Sequence, residues 1–210
     1  MMIKDSGTVR RAAVAGMFYP GDRTALRQQL ARLLEGSPAA PRIASNAPDA
    51  PKVLIVPHAG YVYSGQTAAL AYARLATHRA RIERVVLLGP AHRVYLQGMA
   101  VPSVKHFATP LGEISLDGDA LNVAAAQPGV VVDDGAHALE HSLEVQLPFL
   151  QTVLHHFTLI PVVVGDAIVG DVARLIDTLW AGEETLIVVS TDLSHFHDYD
   201  AARELSLIHI

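Results

Sequence analysis

The chain has 210 residues and a formal net charge of −5, and half of its residues are hydrophobic. This composition suits one domain with a sizeable core. The acidic balance and the lack of a dense Lys/Arg block argue against nucleic acid or an anionic membrane as a partner. Zero cysteines exclude a disulfide framework and a thiolate nucleophile, which is compatible with the cytoplasmic location we expect. No apolar run reaches the ~20 residues of a membrane helix.

Apolar spacing predicts the first elements along the chain. Leucines at helical spacing predict a helix over 23–35, with Asp22 as its N-cap. Residues 36–51, rich in Pro, Ala, Ser and Asn, are typical of a loop. Short β-branched runs bounded by Pro, Gly or polar residues then predict four buried strands, at 53–56, 85–88, 159–164 and 186–189.

Helical patterns lie between these strands. We predict helices over 65–76, 139–154 and 171–180, with Pro148 kinking or breaking the second one. Residues 94–118 contain short segments and turns that fit a hairpin at the sheet edge. Strands that alternate with helices predict a single α/β domain, with a mostly parallel central sheet and helices on both faces.

The polar residues after each strand are the candidate ligand-binding residues, because an open parallel sheet binds ligands beyond the carboxyl ends of its strands. His58 follows the first strand, His92 the second, and Asp192 and His195 the fourth. One loop histidine is usually a solvated surface residue. Three that converge favour a transition-metal site, since neutral imidazole binds Fe, Cu or Zn well. Alternatively, His195 beside Asp192 acts as an oriented general base, and spacing alone does not separate these roles.

A second constellation, Glu140, His141 and Glu144, opens the 139–154 pattern. The two carboxylates share a helix face, so they are either a solvated acidic first turn or a support that orients a metal-bound imidazole from behind, with His141 between them. Tyr61 is placed to line the mouth of a pocket. Six further histidines are interpreted as polar or loop residues, namely His78, His106, His137, His155, His156 and His209.

A glycine-containing segment at 60–67 follows a strand and precedes a helix, as a phosphate-binding loop does. Gln66 stands where such a loop carries its lysine, so the contact to the β- and γ-phosphates is missing. Nucleotide hydrolysis is therefore not expected.

Five motifs in order carry a family resemblance over about residues 9 to 204: VAGMFYP at 14–20, PHAGY at 57–61, LGPAH at 88–92, EHSLEVQLPF at 140–149 and STDLSH at 190–195. Together they resemble the Memo family, called AmmeMemoRadiSam system protein B in bacteria. That family is similar in fold to LigB-type class III extradiol dioxygenases, which hold non-haem Fe(II) with two histidines and a glutamate. The resemblance implies that His58 and His92 bind metal, that His195 is the acid/base, and that Asp192 is its neighbouring carboxylate.

The resemblance also bears on the end of the chain. The family's third metal ligand, usually a cysteine, lies in a more C-terminal segment, so we expect it beyond residue 210. We accordingly interpret 1–205 as one Memo-like domain, incomplete at its C-terminus, and 206–210 as a non-native tail.

The function that the resemblance implies is that of a redox-type protein that binds Fe(II) or Cu and works with radical-SAM and AMMECR-type partner proteins on an undefined substrate. Two alternatives stay open. One is a LigB-type Fe(II) dioxygenase that opens a catecholic ring. The other is a non-enzymatic module that binds peptides or proteins in the same cleft.

Overall fold

The computed structural model describes residues 8–35, 50–192 and 197–208. Its strands are β1 (Val9–Arg10), β2 (Val53–Val56), β3 (Arg84–Pro90), β4 (Met99–Val101), β5 (His106–Thr109), β6 (Gly112–Ser115), β7 (Val130–Val132), β8 (Thr158–Val164) and β9 (Thr185–Ser190). Its helices are α1 (Arg23–Glu35), α2 (Tyr61–Tyr72) with a 3-10 turn at Ala73–Leu75, α3 (Gly118–Ala125), α4 (Asp134–Ala138), α5 (His141–Glu144), α6 (Leu147–Val153), α7 (Val169–Leu179) and α8 (Tyr199–Ile208). Among the described helices, none is both long and apolar enough to cross a membrane.

The main sheet has six strands in the order β2-β9-β3-β8-β4-β7. The first four, β2, β9, β3 and β8, run parallel to one another. β4 is antiparallel to β8, and β7 is parallel to β4, so β4 and β7 run opposite to the other four strands. The predicted α/β class with a mostly parallel central sheet is confirmed.

Alternate residues of the central strands face two separate cores. Val85 and Leu87 of β3 point into a core covered by α1, α2, α5 and α6. Val86 and Leu88 point to the opposite face, where α3 and α7 cover them. Each such fully buried side chain stabilises the fold by about 1.5–3 kcal/mol through the hydrophobic effect. Helices therefore cover both faces of the sheet, as predicted.

The hairpin expected within 94–118 belongs to a second, three-stranded sheet. The hairpin consists of β5 and β6, which pair antiparallel, and β1 completes the sheet by lying parallel to β5. The prediction of a place at the edge of the main sheet was wrong, because Phe107 and Ile114 of the hairpin are buried in the first core. β4, from the same stretch, is the segment that joins the main sheet.

Helix boundaries follow local chemistry. α1 has the predicted bounds, and Asp22 Oδ1 accepts a hydrogen bond from Ala25 N at 2.8 Å, as an N-cap does. α2 begins four residues before its predicted start, directly after the extended Gly60. The 139–154 pattern is divided into α5 and α6, and Pro148 is tolerated in the first turn of α6, where no helical donor is lost. The 36–51 loop prediction lies almost wholly outside the described residues.

Candidate metal centre

The strand order brings the predicted positions together. β9 lies between β2 and β3, so the carboxyl ends of all three strands are neighbours. His58 comes two residues after β2, His92 two residues after β3, and Asp192 two residues after β9. His195 lies outside the described residues. His141, the first residue of α5, joins them because α5 packs against β3.

Three imidazoles form a cluster at this edge. Each of His58, His92 and His141 offers one ring nitrogen, and these atoms lie within 4.8 Å of one another. The ring centroids are 5.1 Å apart for His58 and His92, 5.7 Å for His58 and His141, and 4.7 Å for His92 and His141. His58 is buried, His141 is half-buried and His92 is exposed. The cluster is a candidate metal site with a buried floor and a solvent-facing rim.

A glycine allows α5 to approach β3 this closely. A side chain at Gly89 would place its Cβ 2.8 Å from Leu143 Cδ2 and 2.8 Å from Ser142 Oγ. In the space left open, Ser142 Oγ donates a hydrogen bond to Pro90 O at 2.9 Å. This contact fixes the first turn of α5, and His141 with it, against the end of β3.

Glu140 supports His92 from behind. Its buried carboxylate accepts hydrogen bonds from His92 N at 2.6 Å, His92 Nδ1 at 3.0 Å and Ser142 N at 2.9 Å. Burial alone would raise the pKa of Glu140, but these donors outweigh it and lower the pKa to about 2. An ionised carboxylate only accepts hydrogen bonds. His92 Nδ1 therefore carries the hydrogen, and the lone pair of His92 is on Nε2, free for a metal.

His141 is neutral and has an unpaired nitrogen. Burial lowers its pKa to about 4, opposed by the Glu140 carboxylate and reinforced by His92 and His58. Its Nδ1 lies 3.3 Å from Glu140 Oε1, but the angles are not those of a hydrogen bond. Among the described residues, this buried atom has no hydrogen-bond partner. A neutral imidazole with an uncommitted nitrogen, beside two others, fits the donor preferences of Fe, Cu or Zn.

Asp192, which the resemblance pairs with His195, lies beside His58. Its Oδ1 accepts a hydrogen bond from His58 N at 2.8 Å, and its Oδ2 is 3.7 Å from His58 Nε2. The carboxylate is therefore at the edge of the cluster, where it can orient a bound group.

Glu144 and Tyr61 lie deeper than the histidines. Glu144 is fully buried and accepts hydrogen bonds from Tyr19 Oη at 2.6 Å and from the N-terminal segment. Tyr61 Oη donates to Val145 O at 2.7 Å, and its ring packs on Phe149. The interpretation of Glu140 and Glu144 as a solvated acidic first turn is wrong, because both carboxylates are buried and accept hydrogen bonds from buried donors.

Arg10 is a buried residue whose role no sequence pattern indicates. Its Nε donates to His137 O at 3.0 Å, its Nη2 to Glu140 O at 2.8 Å, and its Nη1 to the Glu144 carboxylate. One guanidinium thus ties β1 to the turn between α4 and α5, just before His141. No motif or periodicity marks this role, because the contacts span more than a hundred residues of sequence.

His137 corrects a sequence interpretation. The expected polar or loop context is wrong, because His137 is 2% exposed and its Nε2 lies 3.1 Å from Ala100 O. The imidazole fills the space between α4 and β4 and faces Phe107.

A cavity of about 640 Å³ lies elsewhere. It is lined partly by His155, His156 and Phe157, which precede β8, and it shares no residue with the histidine cluster. The edge of the sheet that carries the cluster is therefore distinct from this cavity.

The fold and the cluster define an α/β protein with three histidines at the carboxyl edge of a mostly parallel sheet. The family model for Memo-like proteins matches residues 10–208. A MEMO1 family protein of Aquifex aeolicus is 39% identical over 200 residues, which cover 93% of this chain and 71% of the relative. Another, from Ignicoccus hospitalis, is 35% identical over 216 residues, covering 95% and 73%. The chain belongs to the Memo-like protein family.

Proposed function

We propose that this chain binds one redox-active transition metal, Fe(II) or Cu, through His58, His92 and His141. The observation that carries the proposal is the convergence of one ring nitrogen from each of the three histidines within 4.8 Å. The buried Nδ1 of His141 has no hydrogen-bond partner among the described residues. The donor set contains three neutral nitrogens, which these metals bind well.

The residues around the cluster prepare it for such an ion. Glu140 fixes the ring of His92 with Nε2 unprotonated, and the low pKa of His141 keeps that ring neutral at physiological pH. When bound, the metal supplies redox or Lewis-acid chemistry at positions that the histidines leave open. Asp192 is placed to orient a group bound beside His58. We propose His195, from the same segment, as the acid/base, and radical-SAM and AMMECR-type proteins as partners.

The donor set distinguishes this proposal from the dioxygenase alternative. A ring-opening Fe(II) site of the LigB type uses two histidines and a carboxylate. Both Glu140 oxygens already accept hydrogen bonds from His92 and Ser142, so this carboxylate supports a ligand and is not one. The described cluster therefore favours a three-nitrogen site.

A second candidate, peptide binding at the same edge, is favoured by exposed apolar side chains there. Tyr63 follows His58 in the first turn of α2, Tyr95 follows His92, and Leu139 precedes Glu140; they are 86%, 87% and 63% exposed. Peptide binding that persists in His58→Ala and His92→Ala proteins would support this candidate over a metal role.

Metal stoichiometry tests the proposal. The chain is loaded anaerobically with Fe(II) or Cu(I) in separate experiments, desalted, and analysed by inductively coupled plasma mass spectrometry. We expect one ion per chain, lost in each of His58→Ala, His92→Ala and His141→Ala. His155→Ala, at the distant cavity, is the matched control and keeps the ion. Full stoichiometry in any of the three cluster variants, with folding verified by circular dichroism, would contradict the assignment.

A further inference from the structure

A chain of buried hydrogen bonds lies behind His58. Tyr72 Oη is 3.0 Å from Gln146 Oε1, and Gln146 Nε2 donates to Pro57 O and to Ser190 Oγ, each at 2.9 Å. Ser190 Oγ donates to Ser142 O at 2.6 Å, and His58 Nδ1 lies 3.1 Å from Ser190 Oγ. All of these side chains are 2% exposed or less, so water does not compete for the bonds.

The directions of these bonds are fixed by the two backbone carbonyls. Pro57 O can only accept, so the nitrogen of the Gln146 amide must face it, and the same nitrogen donates to Ser190. Ser142 O can also only accept, so the single hydroxyl hydrogen of Ser190 is committed to it. Ser190 Oγ then has only lone pairs left, and one of them already receives the Gln146 hydrogen.

The remaining lone pair of Ser190 faces His58 Nδ1. A hydrogen bond there requires that Nδ1 carry the hydrogen, because two lone pairs would otherwise meet. In the other tautomer, Ser190 would have to turn its hydrogen away from Ser142 O and leave that buried carbonyl unpaired. The geometry therefore selects one ring form of His58.

We infer that Gln146 and Ser190 are positioning residues that hold His58 as the Nδ1–H tautomer and so present Nε2 as a metal-binding nitrogen. The ligand role of Nε2 rests on the proposed function; the tautomer does not. Two different acceptors then orient two ligands: the ionised Glu140 behind His92, and the neutral hydroxyl of Ser190 behind His58. Hydrogen-bond partners of this kind set ring orientation and tautomer in known metal sites.

The tautomer can be measured without any metal. Long-range ¹H–¹⁵N correlation spectra of the metal-free, ¹⁵N-histidine-labelled chain distinguish Nδ1–H from Nε2–H rings, and His58→Asn assigns the His58 signals. We expect the Nδ1–H pattern for His58 in the wild type. We expect it to be lost or mixed in Ser190→Ala and retained in Ser190→Thr, which keeps the hydroxyl. An Nε2–H pattern in the wild type overturns the inference without reference to any variant.

Metal affinity tests the consequence. Co(II), followed by its visible absorption, is titrated into the wild type, Ser190→Ala and Ser64→Ala. We expect Ser190→Ala to bind Co(II) about 10- to 100-fold more weakly. Ser64→Ala removes a buried hydroxyl that bonds to the backbone carbonyl of Ala59 and not to a histidine ring, and should keep wild-type affinity.

Two results separate the possible failures. If His58 keeps its Nδ1–H form and its Co(II) affinity in Ser190→Ala, the positioning role is wrong. If the wild type shows the Nδ1–H form but binds no Co(II), the tautomer is supported and the proposed metal function is contradicted.

Discussion

Glu140 shows how much one side chain contributes to the histidine cluster. It is the N-cap of α5, the acceptor for the His92 ring, and the acceptor for the His92 amide. These three bonds join the end of β3 to the beginning of α5. The orientation of two of the three histidines therefore depends on a single carboxylate.

Replacing Glu140 with glutamine tests that dependence. An amide has one oxygen where the carboxylate has two, so at least one of the buried donors of His92 and Ser142 loses its acceptor. We expect Co(II) binding about 10- to 100-fold weaker and a free energy of unfolding about 1–3 kcal/mol lower, measured by absorption titration and urea unfolding. Glu113→Gln, at an exposed position of β6, should change neither; equal effects in both variants would contradict this role.

Some residues in and around the cluster can be identified from the sequence alone, and others cannot. His58 and His92 follow buried strands, so the rule for parallel sheets selected them. His141 was singled out with Glu140, but no spacing rule shows that α5 places its ring beside the strand ends. Arg10, Gln146 and Ser190 act through contacts between segments far apart in sequence, which one sequence cannot show.

The contact between β3 and α5 is the packing on which the cluster depends. Gly89→Ala would place a Cβ 2.8 Å from Leu143 Cδ2 and from Ser142 Oγ, so these two side chains must shift. We expect a loss of about 1–3 kcal/mol in the free energy of unfolding and weaker metal binding, because the shift disturbs the hydrogen bond from Ser142 Oγ to Pro90 O that holds α5 and His141. Urea unfolding and Co(II) titration measure the two effects.

The matched control is Gly170→Ala in α7. A Cβ there meets no atom within 4 Å, so it should be neutral or stabilise the helix by about 0.5–1 kcal/mol through backbone entropy. If Gly89→Ala is as harmless as Gly170→Ala, close packing of α5 on β3 does not hold the cluster.

The bridge from β1 to α5 depends on Arg10. Arg10→Met removes a guanidinium that satisfies His137 O, Glu140 O and the fully buried Glu144 carboxylate. A buried charge without its partner costs about 3–5 kcal/mol, so we expect a loss of that order in urea unfolding. Arg11 is exposed, and Arg11→Met should stay within about 0.5 kcal/mol of the wild type. Similar losses in both variants would show that the bridge is not specific.

The helices and strands with a strong local apolar pattern are the ones that the sequence predicts. The strands at 53–56 and 159–164 and the helix at 23–35 have strong apolar patterns and appear with nearly the predicted bounds. The short elements α3, β7 and α4 were not predicted, because their formation depends on tertiary packing. The pairing of β5 and β6 with β1 likewise depends on contacts across the chain.

The stability of the whole molecule should decline on mild acidification. Burial lowers the pKa of His137 from 6.5 to about 4, so between these pH values the unfolded chain binds more protons than the folded one. The free energy of unfolding must then fall as pH falls through this window, by on the order of 3 kcal/mol. Glu140, with its pKa lowered from 4.5 to about 2, extends the decline below pH 4.5.

Urea unfolding at pH 7.5, 6 and 5 measures this slope. His137→Gln retains a donor for Ala100 O but does not titrate, so its free energy of unfolding should change less over the same range. Parallel slopes for the two proteins would show that His137 is not the group responsible.

The central claim is that a single metal ion binds where three histidines meet. An anomalous difference map from crystals soaked in Co(II), recorded at the cobalt absorption edge, tests it most directly. We predict one strong peak within coordination distance of His58, His92 and His141, about 2.0–2.2 Å from one ring nitrogen of each. No peak at the cluster, or a peak at His155 and His156 in its place, would contradict the claim.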